Sequence, residues 1–178
     1  MTDRLVIRPA AMSDAEAIGE IYNWAVAETT ASFDTEPRSP QAQRDWLADR
    51  GPRHPVLAAE LDGRVVGWAS LGRWSDRRAY DLTAEESVYV HPHFQHRGIG
   101  RRLLAAIVAA GRQAGLRTLI ARITSDNPVS VRLHEAAGFE HIGVMRQCGR
   151  KFDRWLDVVM MQIVFDSITG PSQLPGVR

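Results

Sequence analysis

A mixed α/β fold, with a mostly antiparallel twisted sheet at its centre and helices on both faces, is the class this sequence predicts. Three observations carry it. Runs of strand length interleave with segments that have one apolar helical side. Asp62-Gly63 stands between two such runs, a strong short-range signal for a tight hairpin. Ser87-Val88-Tyr89-Val90 leads through Gln95-His96-Arg97-Gly98-Ile99-Gly100 into Arg101-Arg102-Leu103-Leu104, which reads as strand, glycine turn and helix start.

In order, Leu5-Val6-Ile7-Arg8-Pro9-Ala10 alternates and stops at proline, as a first strand does. Ser13 or Asp14 caps the next helix, with Glu16 near the end of a capping box and Ile18, Ile21, Tyr22 and Ala25 on one face. Residues 29–37 are irregular, and Ser39-Pro40 opens a second helix through Trp46 and Leu47 that Gly51-Pro52 stops. Strands 56–60 and 64–71 flank the hairpin, and an arginine-rich loop follows. Residues 85–91 are a strand; the helix after the glycine turn places Ile99, Leu103, Leu104, Ile107 and Val108 on one side and ends at Gly115. A buried-type strand at 118–123, a short helix at 127–137 and closing strands at 139–147 and 155–165 complete a single domain over 1–166. The segment 167–178 is rich in turn formers and reads as a frayed tail.

At 178 residues, with 44% hydrophobic and 24% charged content, the chain suits one domain with a continuous core. A net charge of +1 argues against a nucleic-acid binder that works by neutralising many phosphates. The single cysteine, Cys148, excludes an internal disulfide and a multi-cysteine zinc site, and reads as a half-buried strand residue. No stretch reaches the roughly 18 apolar residues of a membrane span, and no signal-peptide core follows Met1, so a cytoplasmic protein with no membrane partner is expected.

Gly98 and Gly100 let the backbone pass close to a ligand, and the first N–H groups of the following helix lack internal partners, so the turn suits a phosphate or pyrophosphate. Arg97, Arg101 and Arg102 add positive charge. A P-loop would end in Gly-Lys-Ser/Thr, whereas Gly100 is followed by two arginines; a dinucleotide fingerprint would need a third glycine. His91, His93 and His96 lie close together, but Pro92 and the glycine turn break helical ligand spacing, and no metal is expected.

The pattern Q-x-x-G-x-G after a strand resembles the acetyl-CoA pyrophosphate loop of the GCN5-related N-acetyltransferases (GNAT). Tyr22-Asn23, Phe33-Asp34-Thr35-Glu36-Pro37, Ser87 to Pro92, Leu133-His134-Glu135 with Gly138-Phe139, and Gly149-Arg150-Lys151-Phe152 with Trp155-Leu156-Asp157 resemble its phosphinothricin and methionine-sulfoximine branch. The resemblance implies transfer of acetyl from acetyl-CoA to the α-amino group of a small amino-acid analogue by direct attack in a ternary complex, in a homodimer. It places acetyl-CoA on Val88, Tyr89 and Val90, where a bulge frees main-chain groups, on His96, Arg97, Gly98, Ile99, Gly100 and Arg101, and on Asn127 and Ser130. It makes Glu85 the base; strand alternation sends Glu85 and Glu86 to opposite faces, and Glu86 by itself reads as a solvated residue at a strand start. His134 stands where many relatives place the acid for the departing thiolate, and Tyr89 is an alternative donor. Acceptor binding falls to Phe33, Ser75, Asp76, Arg77, Tyr80, Glu85, Glu86 and Ser87, with Ser75 replacing a basic residue of those relatives. The tryptophans read as core or dimer contacts.

Other readings predict different behaviour. The same fold could acetylate an aminoglycoside, a polyamine or a protein N-terminus, and an acidic pocket would favour the first two. A CoA-binding sensor would bind without turnover, and a phosphate-binding module would not prefer CoA to ADP.

Overall fold

The computed structural model describes residues 5–166; the reading of the tail lies outside them. Seven strands form one sheet in the order β1-β2-β3-β4-β5-β7-β6, with β1 at Leu5–Pro9, β2 at Val56–Leu61, β3 at Arg64–Arg73, β4 at Thr83–Val90, β5 at Thr118–Thr124, β6 at Glu140–Lys151 and β7 at Arg154–Val164. Among the described residues only the β4–β5 pairing is parallel. Within the described residues four α-helices cover the sheet: α1 (Ala15–Glu28) and α2 (Pro40–Ala48) on one face, α3 (Ile99–Gln113) and α4 (Pro128–Ala136) on the other. On the first face Ile18, Ile21, Val26 and Leu47 pack on Val56, Ala58 and Trp68. On the second Leu103, Leu104 and Ile107 pack on Leu71, Ala84, Leu119 and Met161. With helices on both sides, β3 is buried continuously from Val65 to Leu71 instead of alternating.

Several local expectations hold for the reasons that predicted them. Asp62 and Gly63 both take positive φ, 49° and 81°, as a tight hairpin turn demands. Ser39 accepts from the Ala42 N–H at 3.1 Å with Pro40 opening α2, and Gly115, at φ 77°, follows the end of α3. Three expectations are corrected. Asp14 precedes α1 but does not cap it, because its carboxylate is taken by Arg8, at 2.6 and 3.0 Å, and by the Ala11 N–H at 2.8 Å. The closing hairpin is longer than expected: Phe152 and Asp153 take φ of 50° and 56°, a turn usually built from Asn-Gly, so its sequence gave no warning. Cys148 is exposed, within an irregularity that interrupts the β6–β7 register between Met145 and Gly149.

Close packing between β3, β4 and α3 has a testable cost. A Cβ at Gly67 would stand 2.9 Å from the Tyr89 carbonyl oxygen and 3.0 Å from Leu103 Cδ1. The carbonyl belongs to the sheet and cannot give way, so Gly67→Ala is expected to lose about 1–3 kcal/mol, read as a lower midpoint in thermal or urea melts.

Candidate active site

The sheet opens where β4 and β5 part. They pair only at Thr83, Ala84 and Glu85 with Thr118, Leu119 and Ile120, whereas β4 keeps continuous register with β3 from Ala84 to Val90. The expected bulge in β4 is therefore absent; main-chain groups are freed because β5 leaves. The His91 N–H bonds the Val66 carbonyl on the β3 side, so the two-residue period turns the main-chain groups of Val88 and Val90 to the open edge. The Val90 carbonyl accepts there from Gln95 Nε2 at 3.3 Å, which ties the glycine loop to the end of β4.

At that loop Gly98 takes φ 77° and His96 φ 60°, and α3 begins without a side-chain cap. The first intrahelical bond is from the Arg102 N–H to the Gly98 carbonyl, leaving the preceding N–H groups for a ligand. Arg97 stacks 5.2 Å over Phe94 and Arg101 is exposed, while Arg102 is committed to the Leu5 carbonyl at 2.9 Å. Ile99 is core. Asn127 caps α4, its Oδ1 accepting from the Ser130 N–H at 3.1 Å, and both residues line the split between the strands.

That split widens into a cleft of about 550 Å³ whose walls carry Phe33, Glu85, Glu86, Ser87, Val88, Tyr89 and His134. The two adjacent glutamates do face opposite sides of the sheet. Glu85, toward α1 and α2, is held by both nitrogens of one guanidinium: Arg122 Nε at 2.6 Å and Nη2 at 2.8 Å. Glu86, toward α4, is not solvated; it is 6% exposed, and its Oε1 lies 2.6 Å from His134 Nε2. Its Oε2 is buried without a partner among the described residues. His134 is 3% exposed and its Nδ1 lies 2.7 Å from the Ser130 carbonyl, an acceptor, so Nδ1 carries a proton and one further proton lies between Nε2 and Glu86. Burial alone pulls the His134 pKa down. The hydrogen bond and charge of Glu86, with the Ser130 carbonyl, outweigh it and hold the imidazolium above its ordinary value.

Tyr89 packs away from this pair, stacked 4.8 Å from Trp68 with its hydroxyl donating to the Ala31 carbonyl at 3.2 Å. Burial first, then the charges of Tyr22 and Glu86, raise its pKa. Phe33 is seated against Gly149, where a Cβ would overlap its ring, and Lys151 Nζ donates to the Ser32 carbonyl at 2.7 Å, so the 29–37 loop is pinned to the closing hairpin. The loop carrying Ser75, Asp76, Arg77 and Tyr80 lies outside the cleft walls, and Asp76, Arg77 and Tyr80 are exposed.

Three arginines that sequence reasoning missed, Arg38, Arg50 and Arg122, line the cleft together with Arg73 of the arginine-rich loop. Arg50 is committed to the Trp46 and Leu71 carbonyls at 3.3 and 3.1 Å; Arg38 lies 4.1 Å over Tyr22 and 3.6 Å from Asp34; Arg73 and Arg122 complete the set. Only Arg122 left a signal, as a lone charge in the apolar run Leu119-Ile120-Ala121-Arg122-Ile123.

A parallel pair of strands splayed beyond one short contact, with a glycine-started helix beside the opening, belongs to the class of sites that suit an extended, phosphate-bearing ligand along one strand edge. The comparisons agree with that class. The acetyltransferase (GNAT) family model matches residues 18–139. The chain is 39% identical to the L-methionine sulfoximine/L-methionine sulfone acetyltransferase of Salmonella typhimurium, over 94% of this chain and 98% of the relative. It is 39% identical to the phosphinothricin N-acetyltransferase of Streptomyces viridochromogenes, over 90% of this chain and 87% of that one. An acetyltransferase from Salmonella typhimurium, solved with its cofactor acetyl-CoA, superposes with a TM-score of 0.91 at 38% identity, covering 96% of this chain and 99% of the other. The chain belongs to the GNAT acetyltransferase family, and it is an N-acetyltransferase that uses acetyl-CoA as co-substrate.

No helix among the described residues is long and apolar enough to cross a membrane.

Proposed function

We propose that the acceptor is a small α-amino acid or amino-acid analogue of the phosphinothricin, methionine sulfoximine or methionine sulfone kind, acetylated on its α-amino group. The charge of the cleft carries this reading: its lining sets Arg38, Arg50, Arg73 and Arg122 against Asp34 and Glu85, while Glu86 is turned to the other sheet face and paired with His134. A polyamine or an aminoglycoside would bring several positive charges to a wall that already holds four guanidiniums. A zwitterion with an acidic group suits it.

The pyrophosphate is assigned to the backbone of His96, Gly98, Ile99 and Gly100 with Arg97 and Arg101, and the pantetheine arm to the open edge at Val88 and Val90 and to Asn127 and Ser130. The two titratable pairs divide the chemistry by sheet face. Glu85 takes a proton from the acceptor ammonium, and the freed nitrogen attacks the thioester carbon, whose oxygen draws on a β4 N–H. As the C–S bond breaks, His134 supplies a proton to the thiolate, and Glu86 positions its ring; the nitrogen's remaining excess proton leaves to solvent. Phe33 and Ser87 flank the acceptor, and a closed position of the 75–80 loop would bring Arg77 and Tyr80 to its acidic end. Ile142, Val144 and Met145, exposed on the edge strand β6, offer the surface for a second copy in the inferred homodimer.

Acetyl-CoA-dependent thiol release with phosphinothricin, methionine sulfoximine, methionine sulfone, spermidine and kanamycin in parallel tests the acceptor class. Turnover of the amino-acid analogues is expected, and turnover of spermidine or kanamycin alone would overturn the reading.

A further inference from the structure

Of the four cleft arginines, Arg122 alone is paired with the carboxylate assigned to the acceptor ammonium. Both oxygens of Glu85 are occupied, at 2.6 and 2.8 Å, so a base that must receive a proton from nitrogen is masked in the unliganded chain. The pair sits at the end of the β4–β5 contact, where Glu85 is the last paired residue of β4 and Arg122 lies two residues past its partner Ile120, on the α1/α2 face, with Arg122 49% and Glu85 24% exposed at the side chain. A pair so open to water contributes little stability and exchanges partners at little cost. Arg38 and Arg50 are anchored by aromatic stacking and main-chain carbonyls, whereas Arg122 also lies 5.9 Å over Trp74, a second resting place for its guanidinium.

We propose that Glu85 and Arg122 read the acceptor as a zwitterion: its carboxylate takes the Arg122 fork, and the glutamate so released takes its ammonium. Guanidinium and carboxylate match as a planar two-point pair. An α-amino acid carries ammonium and carboxylate on neighbouring carbons, so one molecule replaces both partners and leaves two charges of each sign in the array. An amine without a carboxylate meets Glu85 still bound to Arg122. The base is thus made available by the group that identifies the acceptor, and Arg122 sets specificity for carboxylate-bearing amines. This rests on the acceptor class proposed above.

The test compares methionine sulfone with its carboxamide, in which the amine is kept and the carboxylate charge is lost, for wild type, Arg122→Met and Arg122→Lys. Wild type is expected to favour the acid. In Arg122→Met the ratio of kcat/KM for acid over amide is expected to fall about 10- to 100-fold, mainly through KM for the acid, the effect of losing a charge-assisted pair. Arg122→Lys, which keeps the charge but not the fork, recovers part of it. If Arg122 only pins β4 to β5, both acceptors lose activity by the same factor and the ratio stays, which overturns the inference and leaves the acceptor class standing. Wild type that acetylates neither amino-acid derivative but another amine overturns both. Thermal melts and acetyl-CoA titration of each variant separate misfolding from specificity.

Discussion

Glu85→Gln is expected to lower kcat/KM for an amino-acid acceptor by roughly 10²- to 10⁴-fold, the range for removing a positioned general base. The amide has the carboxylate's shape but cannot take up a proton near pH 7, and it no longer balances the Arg122 charge. Its effect on folding is small by the same geometry: Arg122 is half-exposed, and a solvated ion pair of this kind is worth about 0–1 kcal/mol. Acetyl-CoA affinity should hold, because the pantetheine edge begins beyond Glu85 and the pyrophosphate loop lies at the far end of β4. Steady-state thiol release, a thermal melt and an acetyl-CoA titration on one preparation check all three. Undiminished turnover would remove Glu85 from the proton path and turn attention to Glu86 and Asp34, the other carboxylates in the cleft wall.

His134→Ala is expected to be the most destabilising single change at the site. It leaves Glu86 buried with neither oxygen partnered, and breaking a buried charged pair by deleting one member costs about 3–5 kcal/mol. Glu86→Gln is milder, since the amide oxygen still accepts from Nε2, and it isolates the electrostatic part. Because Glu86 and the Ser130 carbonyl hold the His134 pKa above 6.5 against the pull of burial, the folded chain binds this proton more tightly than the unfolded one. That stabilisation is complete below pH ~6.5 and is lost as pH rises through the folded value. Wild-type melting temperature should therefore decline on raising the pH from ~6.5 into the alkaline range, and Glu86→Gln should flatten the decline. Parallel profiles for the two proteins would mean that Glu86 does not hold the imidazolium.

Much of the fold was legible because its signals are local. Asp62-Gly63, Ser39-Pro40 and Gly115 act through backbone torsions and caps that need no distant partner. The apolar side of α3 is a matter of period, and Leu103, Leu104 and Ile107 are fully buried as that period requires. The failures have physical causes too. Asp14 looked like a cap until Arg8, six residues earlier, reached it from β1. The closing hairpin turns on Phe152 and Asp153, and a bulky aromatic such as Phe152 rarely takes positive φ, as it does here inside a long paired ladder.

The sequence by itself determined the class of fold, the glycine-started helix and the alternation that separates Glu85 from Glu86, since each depends only on backbone period and neighbouring residues. Tertiary structure decided what the two carboxylates meet: Arg122 from β5, 37 positions on, for one, and His134 from α4, 48 positions on, for the other. It also decided that β4 is opened by the departure of β5 and not by a bulge of its own. Partners so distant in the chain come together only through packing of the sheet between its helix layers, and no local pattern records which of them will touch.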